Sequence, residues 1–196
     1  MAKLDFNFLI APSLAPGFFD QYWQESALVI KRDNTEVYRA LLEAADTAAV
    51  LSLAGRFPAE AVDVISRIQT SETAGEATGV LAHLFDQGAT IRVKAIERFL
   101  EPLAELCRNL EEELASPVRA NLYCTPAHSR GFNLHFDAHE VFVLQLLGRK
   151  HWQIFEPTTA LPLEFVPPLP FEDTRQALER VRGRERDQCV SLRQSE

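Results

Sequence analysis

Cysteine, methionine and tryptophan are scarce in this chain, with 3, 1 and 2 copies among 196 residues. The cysteines Cys107, Cys124 and Cys189 form no CxxC pair, which argues against both a disulfide framework and a zinc knuckle. A reducing cytoplasm is the simplest setting. Long hydrophobic runs are also missing, so no segment is expected to span a bilayer. The opening Met1-Ala2-Lys3-Leu4-Asp5 has an early acid where a secretory signal would have its apolar stretch. Positive charge is in deficit: 28 acidic against 20 basic residues leave 28 − 20 = 8 net negative charges. That balance disfavours direct nucleic-acid contact or an anionic membrane surface and tolerates a basic protein substrate better.

What is present is an ordinary globular mixture, 46% hydrophobic and 24% charged, sufficient for one good core. Phe18, Phe19, Tyr22 and Trp23 read as aromatic anchors for an N-terminal element, and Ala27 to Ile30 as a short buried strand. Helical turns follow from Thr35, with a break near Asp46 and a restart at Thr47. Ala61 to Thr70 fits either a strand or a helix. Ala89 to Val93 alternates as a strand, after which Ile96, Phe99, Leu103, Leu106, Cys107, Leu110 and Leu114 recur at helical spacing, with Pro102 in the first turn. Beyond Pro117 the segments Val118 to Tyr123, Phe132 to Phe136, Val141 to Leu147 and His151 to Phe155 are strand-like and separated by turn residues. Such a succession suggests an antiparallel sandwich or barrel. Five prolines between Pro157 and Pro170 imply a surface loop. Thr174 to Arg184 fits a short charged helix, and residues 182–196 form a polar tail expected to fray.

His135-Phe136-Asp137 carries the chemistry. Residues two apart on a strand face the same way, so an imidazole and a carboxylate can hold one metal together. A second histidine from elsewhere would complete the facial triad of a non-haem Fe(II) oxygenase. A strand histidine simply hydrogen-bonded to a neighbouring aspartate is the plainer alternative. His139 would share the same face, yet three same-face residues on one strand are too widely spaced to converge on one ion, which makes it structural. His83 falls in a helical segment, and His128 and His151 flank turns where solvent exposure is expected.

The runs Asn121 to Pro126, Gly131 to Gln145 and Gly148 to Trp152 together resemble the JmjC-type cupin oxygenases, in the bacterial branch related to the ribosomal oxygenases. Phe18-Phe19, Tyr22-Trp23 and Gly88-Ala89-Thr90 have similar counterparts there, so the resemblance covers most of residues 16–170. It implies an α+β fold, a double-stranded β-helix (cupin/JmjC jelly roll) with N-terminal helices, over residues 1–181 with core strands at about 89–156. It also implies Fe(II) held by His135 and Asp137 and a 2-oxoglutarate co-substrate whose distal carboxylate pairs with Lys150, lined by Asn121 and Tyr123. The reaction would be hydroxylation of a protein side chain, a ribosomal protein being the substrate type, with a homodimer compatible. As bare residues, Lys150 would more often be a solvated hairpin cation, and Asn121 and Tyr123 ordinary strand positions.

The chain departs from the family after Asp137. The family's third ligand is a histidine that follows a Gly-Asp turn, and here only His139 and His151 come later. An incomplete barrel is therefore expected, from a fragment, a natural truncation, or a chain that borrows its third ligand. Turnover is then in doubt, and the competing reading is a catalytically inactive cupin-fold binding or assembly module.

Overall fold

The computed structural model of the protein describes residues 3–10, 17–32, 38, 41, 42, 44, 46–65, 78–129, 132, 137–154 and 188–193. In chain order the elements are α1 (Phe6–Ile10), α2 (Phe18–Gln21), α3 (Thr47–Ala54), β1 (Val62–Ile65), α4 (Thr78–Asp86), β2 (Thr90–Val93), α5 (Glu101–Leu114), β3 (Leu122–Cys124), β4 (Arg149–Ile154) and β5 (Gln188–Arg193). They fall into two compact units, one of residues 1–12 and 36–131 and the other of residues 13–35 and 132–196.

The first unit is organised around β2. This strand lies between β1 and β3 in an antiparallel sheet of order β1-β2-β3, with Val64 opposite Ile91 and Ile91 opposite Cys124. Alternation puts Ile91 and Val93 on one face, and both are only 1% exposed. They pack with Leu51 and Ala54 of α3, Val62 of β1, Leu81 of α4, and Ile96. Burying each large aliphatic side chain there contributes roughly 1.5–3 kcal/mol.

Local chemistry sets the ends of these elements. The helix expected to restart at Thr47 is α3, and Asp46 caps it, its Oδ1 accepting the Ala49 amide at 2.8 Å. At the end of α4 the Gly88 amide donates to Phe85 O (2.9 Å) and the Ala89 amide to Leu84 O (3.0 Å). This is a Schellman closure, and Gly88 meets its need for positive φ at +96°. The chain then passes straight into β2. The helix anticipated from Ile96 to Leu114 begins with a 3-10 turn at Ile96–Arg98 and becomes α-helical at Glu101, with Pro102 in its first turn. It buries Leu106, Cys107 and Leu110, and Asn109 Nδ2 donates to Leu4 O at 2.6 Å, fastening the N-terminal segment to α5.

The second unit holds the aromatic anchors. Phe18 is buried and stacks on Phe142 with ring centroids 6.4 Å apart, while Trp23 stacks on the same ring at 6.2 Å. Gln24 Nε2 donates to Glu140 Oε1 at 2.8 Å and ties the same two segments together. β4 and β5 form an antiparallel pair, from Arg149 opposite Arg193 to Ile154 opposite Gln188.

Several segments differ from their sequence patterns. Ala27 to Ile30 is not a strand and its side chains stay exposed or half-buried, because no strand among the described residues takes up its amides. Val118 to Tyr123 contributes only the short β3, and Val141 to Leu147 joins neither sheet although it is rich in β-formers. The tail expected to fray supplies β5, its backbone pairing with β4 along the six residues Gln188–Arg193. Ala61 to Thr70 resolves to a strand over Val62–Ile65, its remainder lying outside the described residues, as do residues 133–136, the proline-rich loop and the expected helix at 174–184. Among the described residues the strands form these two open sheets and no closed barrel.

Candidate functional site

Asn121 and Tyr123 lie on the face of the three-stranded sheet turned away from the core. Leu122 and Cys124 pack inward, so their neighbours project outward, and Tyr123 is 39% exposed. Register places Asp63, Arg92 and Tyr123 in one row across β1, β2 and β3. Arg92 Nε donates to Asp63 Oδ2 at 2.9 Å, with Nη2 on the same oxygen, and Lys94 Nζ approaches Asp63 Oδ1 at 3.1 Å. Burial works to raise the Asp63 carboxyl, but the Arg92 and Lys94 hydrogen bonds prevail and hold it below its ordinary value. Burial likewise opposes the charge on Arg92; Asp63 and the Tyr123 hydroxyl outweigh it and raise the guanidinium. Asn121 spends its Oδ1 on the Ala95 amide, 3.1 Å away, at a left-handed turn.

Glu97, only 8% exposed, accepts the Ala120 amide at 3.0 Å and so fixes the approach to β3. The thiols of this unit are inert by environment. Burial pushes both Cys107 and Cys124 up to about 11, with Glu97 and Glu111 adding to the rise at Cys107.

In the second unit His135 lies outside the described residues, whereas Asp137 is described and exposed. His128 and His151 are exposed and His83 sits in α4, as expected, and His139 is exposed as well. No group of three or more His, Cys, Asp or Glu side chains is disposed to hold a metal among the described residues. Lys150 departs from the solvated-hairpin alternative. It is the second residue of β4, whose exposure alternates so that Lys150, Trp152 and Ile154 share the half-buried face while Arg149, His151 and Gln153 face solvent. Its Nζ lies 4.9 Å from the centre of the Trp152 ring, and burial lowers its pKa.

Two residues went unassigned in the sequence reading. Arg92, which joins Asp63 to Tyr123, carries no sequence signal beyond its place in an alternating strand. Trp152 does carry one, its spacing of two from Lys150.

A JmjC domain profile matches residues 94–181, a span that includes Asn121, Tyr123, His135, Asp137 and Lys150. The chain is 34% identical over 169 residues to ribosomal oxygenase 2 of Rattus norvegicus, covering 82% of this chain and 36% of that protein. It is 31% identical over 160 residues to ribosomal oxygenase 1 of Gallus gallus, covering 79% and 27%. It is also 32% identical over 156 residues to the bifunctional lysine-specific demethylase and histidyl-hydroxylase NO66 of Drosophila yakuba, covering 77% and 23%. The protein is thus of the JmjC class, for which a cupin jelly-roll fold is implied. Within that class the chain belongs to the family related to the ribosomal oxygenases. It spans about a third or less of the length of these curated relatives. No helix among the described residues is long and apolar enough to cross a membrane.

Proposed function

We propose that this chain is the JmjC/cupin part, over residues 1–181, of an Fe(II)- and 2-oxoglutarate-dependent protein hydroxylase. The observation that carries the reading is Lys150: an ammonium group drawn onto the half-buried face of β4, inside the JmjC segment, where burial already disfavours its charge. In the family that the chain resembles, a basic residue at this position pairs with the distal carboxylate of a dicarboxylic co-substrate, a charge-assisted contact that a half-buried setting strengthens.

His135 and Asp137 would hold the iron. An imidazole and a carboxylate suit Fe(II) in type. When bound, iron and 2-oxoglutarate supply the oxidising chemistry that puts oxygen into a C–H bond. The chain's own share is binding and orientation. Lys150 would pair with the distal carboxylate. By the same resemblance the Tyr123 hydroxyl would donate to the co-substrate and Asn121 would line its pocket. The names ribosomal oxygenase and histidyl-hydroxylase among the relatives support a ribosomal protein as substrate, and the net charge of −8 suits a basic one. A cytoplasmic homodimer that touches neither nucleic acid nor membrane directly completes the proposal.

The second reading is an inactive binding or assembly module on the same fold. Calorimetric titration with Mn(II), an air-stable stand-in for Fe(II), in the presence of 2-oxoglutarate separates the two. The hydroxylase reading expects one-to-one binding that disappears in His135→Ala. No binding in either form would leave the module.

A further inference from the structure

The register between β2 and β3 ends at the pair Val93 and Leu122, and two residues further on the chain turns left-handed at Ala95, with φ 49° and ψ 45°. Past that point side chains join the two segments. Asn121 Oδ1 accepts the Ala95 amide at 3.1 Å, and in return Glu97 Oε2 accepts the Ala120 amide at 3.0 Å. Between these two bonds the Ile96 amide donates to Ala120 O at 2.9 Å. Each segment thus lends the other one side-chain acceptor, on either side of a backbone hydrogen bond. Glu97 is the buried half of this clasp, 8% exposed, and Asn121 the exposed half. A carboxylate is kept in such a place only where its oxygens are answered. Arg119 answers it weakly: its Nε stands 3.8 Å from Glu97 Oε1, and the guanidinium, 66% exposed, is shared with Glu111 at 3.5 Å. The Ala120 amide is the close partner.

We infer that Glu97 is a positioning residue for Asn121: by gripping the Ala120 amide from the 3-10 turn at Ile96–Arg98, it holds the start of β3 where the Ala95 N–H can fix the Asn121 side chain. The inference rests on the placing of Asn121 in the co-substrate pocket given above and adds the residue that sets its orientation. A backbone N–H can bond only to the oxygen of a side-chain amide, so the contact with Ala95 decides which end of Asn121 is which. The amide is planar, and fixing Oδ1 fixes Nδ2 with it. Asn121 therefore meets a ligand with a donor already aimed, at no further cost in side-chain ordering. Without Glu97 the Ala120 amide loses its acceptor, the entry to β3 drifts from the turn, and Asn121 loses the N–H that orients it.

Amide hydrogen exchange reads the clasp without any ligand. In Glu97→Ala the Ala95 amide should speed up about tenfold more than the amide of Ile91 in the centre of the sheet, because the opening is local. A general loss of stability would speed both alike and overturn the inference. Glu97→Gln keeps an acceptor oxygen of equal reach and should restore the Ala95 rate. Asn121→Ala, a change at the surface, should speed the Ala120 amide in the same selective way, which keeps the test readable if Glu97→Ala does not fold. Calorimetric affinity for 2-oxoglutarate, with Mn(II) present, then reads the consequence. Asn121→Ala is expected to bind about tenfold more weakly, Glu97→Ala about as weakly, and the double variant no more weakly than Asn121→Ala alone, since Glu97 acts through Asn121. Losses that add independently, or an unchanged affinity in Glu97→Ala beside a weakened Asn121→Ala, would overturn the positioning role. No 2-oxoglutarate binding by the unaltered protein would overturn the co-substrate site itself, with the exchange rates still deciding whether Glu97 holds Asn121.

Discussion

The Oδ1 atom of Asn121 accepts the backbone N–H of Ala95 at 3.1 Å, tying the residue before β3 to the left-handed turn that follows β2. Ala95 has φ 49° and ψ 45°, a region where its Cβ crowds the backbone. Asn121→Ala should lower stability by about 1 kcal/mol by removing this hydrogen bond. Ala95→Gly should raise it by roughly 0.5 kcal/mol, since relief of the left-handed strain exceeds the entropy glycine adds to the unfolded chain. Urea denaturation of both variants decides. A destabilised Ala95→Gly would mean that the turn tolerates alanine without strain.

Asp63 makes the stability of the first unit sensitive to acid. Its folded carboxyl titrates below the ordinary 3.8, because the Arg92 and Lys94 hydrogen bonds outweigh the upward push of burial. The contribution is complete above pH 3.8 and is lost as the pH falls through the depressed value. Asp63→Asn should therefore cost about 1 kcal/mol at pH 7, a modest figure because the side chains are partly solvated. The cost should shrink below pH 3.8. Chemical denaturation at pH 7 and pH 3 checks this, and an equal cost at both would contradict it.

Cys107 and Cys124 should resist alkylation. With both thiols at about 11, little thiolate exists at pH 8. Iodoacetamide treatment of folded protein at that pH, followed by mass spectrometry, should leave both unmodified, and modification should appear once denaturant is added. Rapid labelling of either cysteine in the folded protein would show that its surroundings are more open.

Ile91 and Val143 should behave oppositely despite similar chemistry. Ile91 is 1% exposed in the centre of β2, so Ile91→Ala should cost about 2–5 kcal/mol through lost burial and the cavity it leaves. Val143 is 43% exposed, and Val143→Ser should change stability by less than about 0.5 kcal/mol. Thermal unfolding monitored by circular dichroism would register the first and hardly the second. A large loss at Val143 would point to a surface covered in solution.

Features encoded over short stretches of chain were legible in advance. The spacing of Leu103, Leu106, Cys107, Leu110 and Leu114 marks a helix because each turn repeats the same neighbours, and α5 spans them. The break near Asp46 and the restart at Thr47 were read from the local pattern, and α3 begins at Thr47. The alternation of Thr90 to Val93 likewise separates an inner face from an outer one before any partner strand is known. The runs from Asn121 to Trp152 were distinctive enough for the family to be read from them, as the JmjC match over residues 94–181 bears out.

Strand pairing was not legible, because a strand's partners lie at distances along the chain that no local pattern encodes. Val141 to Leu147 has the composition of a strand and pairs in neither sheet, while Gln188–Arg193, within the tail expected to fray, pairs with β4. Backbone hydrogen bonds carry no side-chain signature, so composition misjudged both.

The chain by itself determined the family, the His135-x-Asp137 pair, the position of α5 and the start of α3, all properties of residues close in sequence. Only the tertiary structure decided that Lys150 lies on a half-buried face of β4 with its ammonium over the Trp152 ring, and that Asp63, Arg92 and Tyr123 line up across three strands. Burial and cross-strand register are relations between distant segments, and they come into being only when the chain packs.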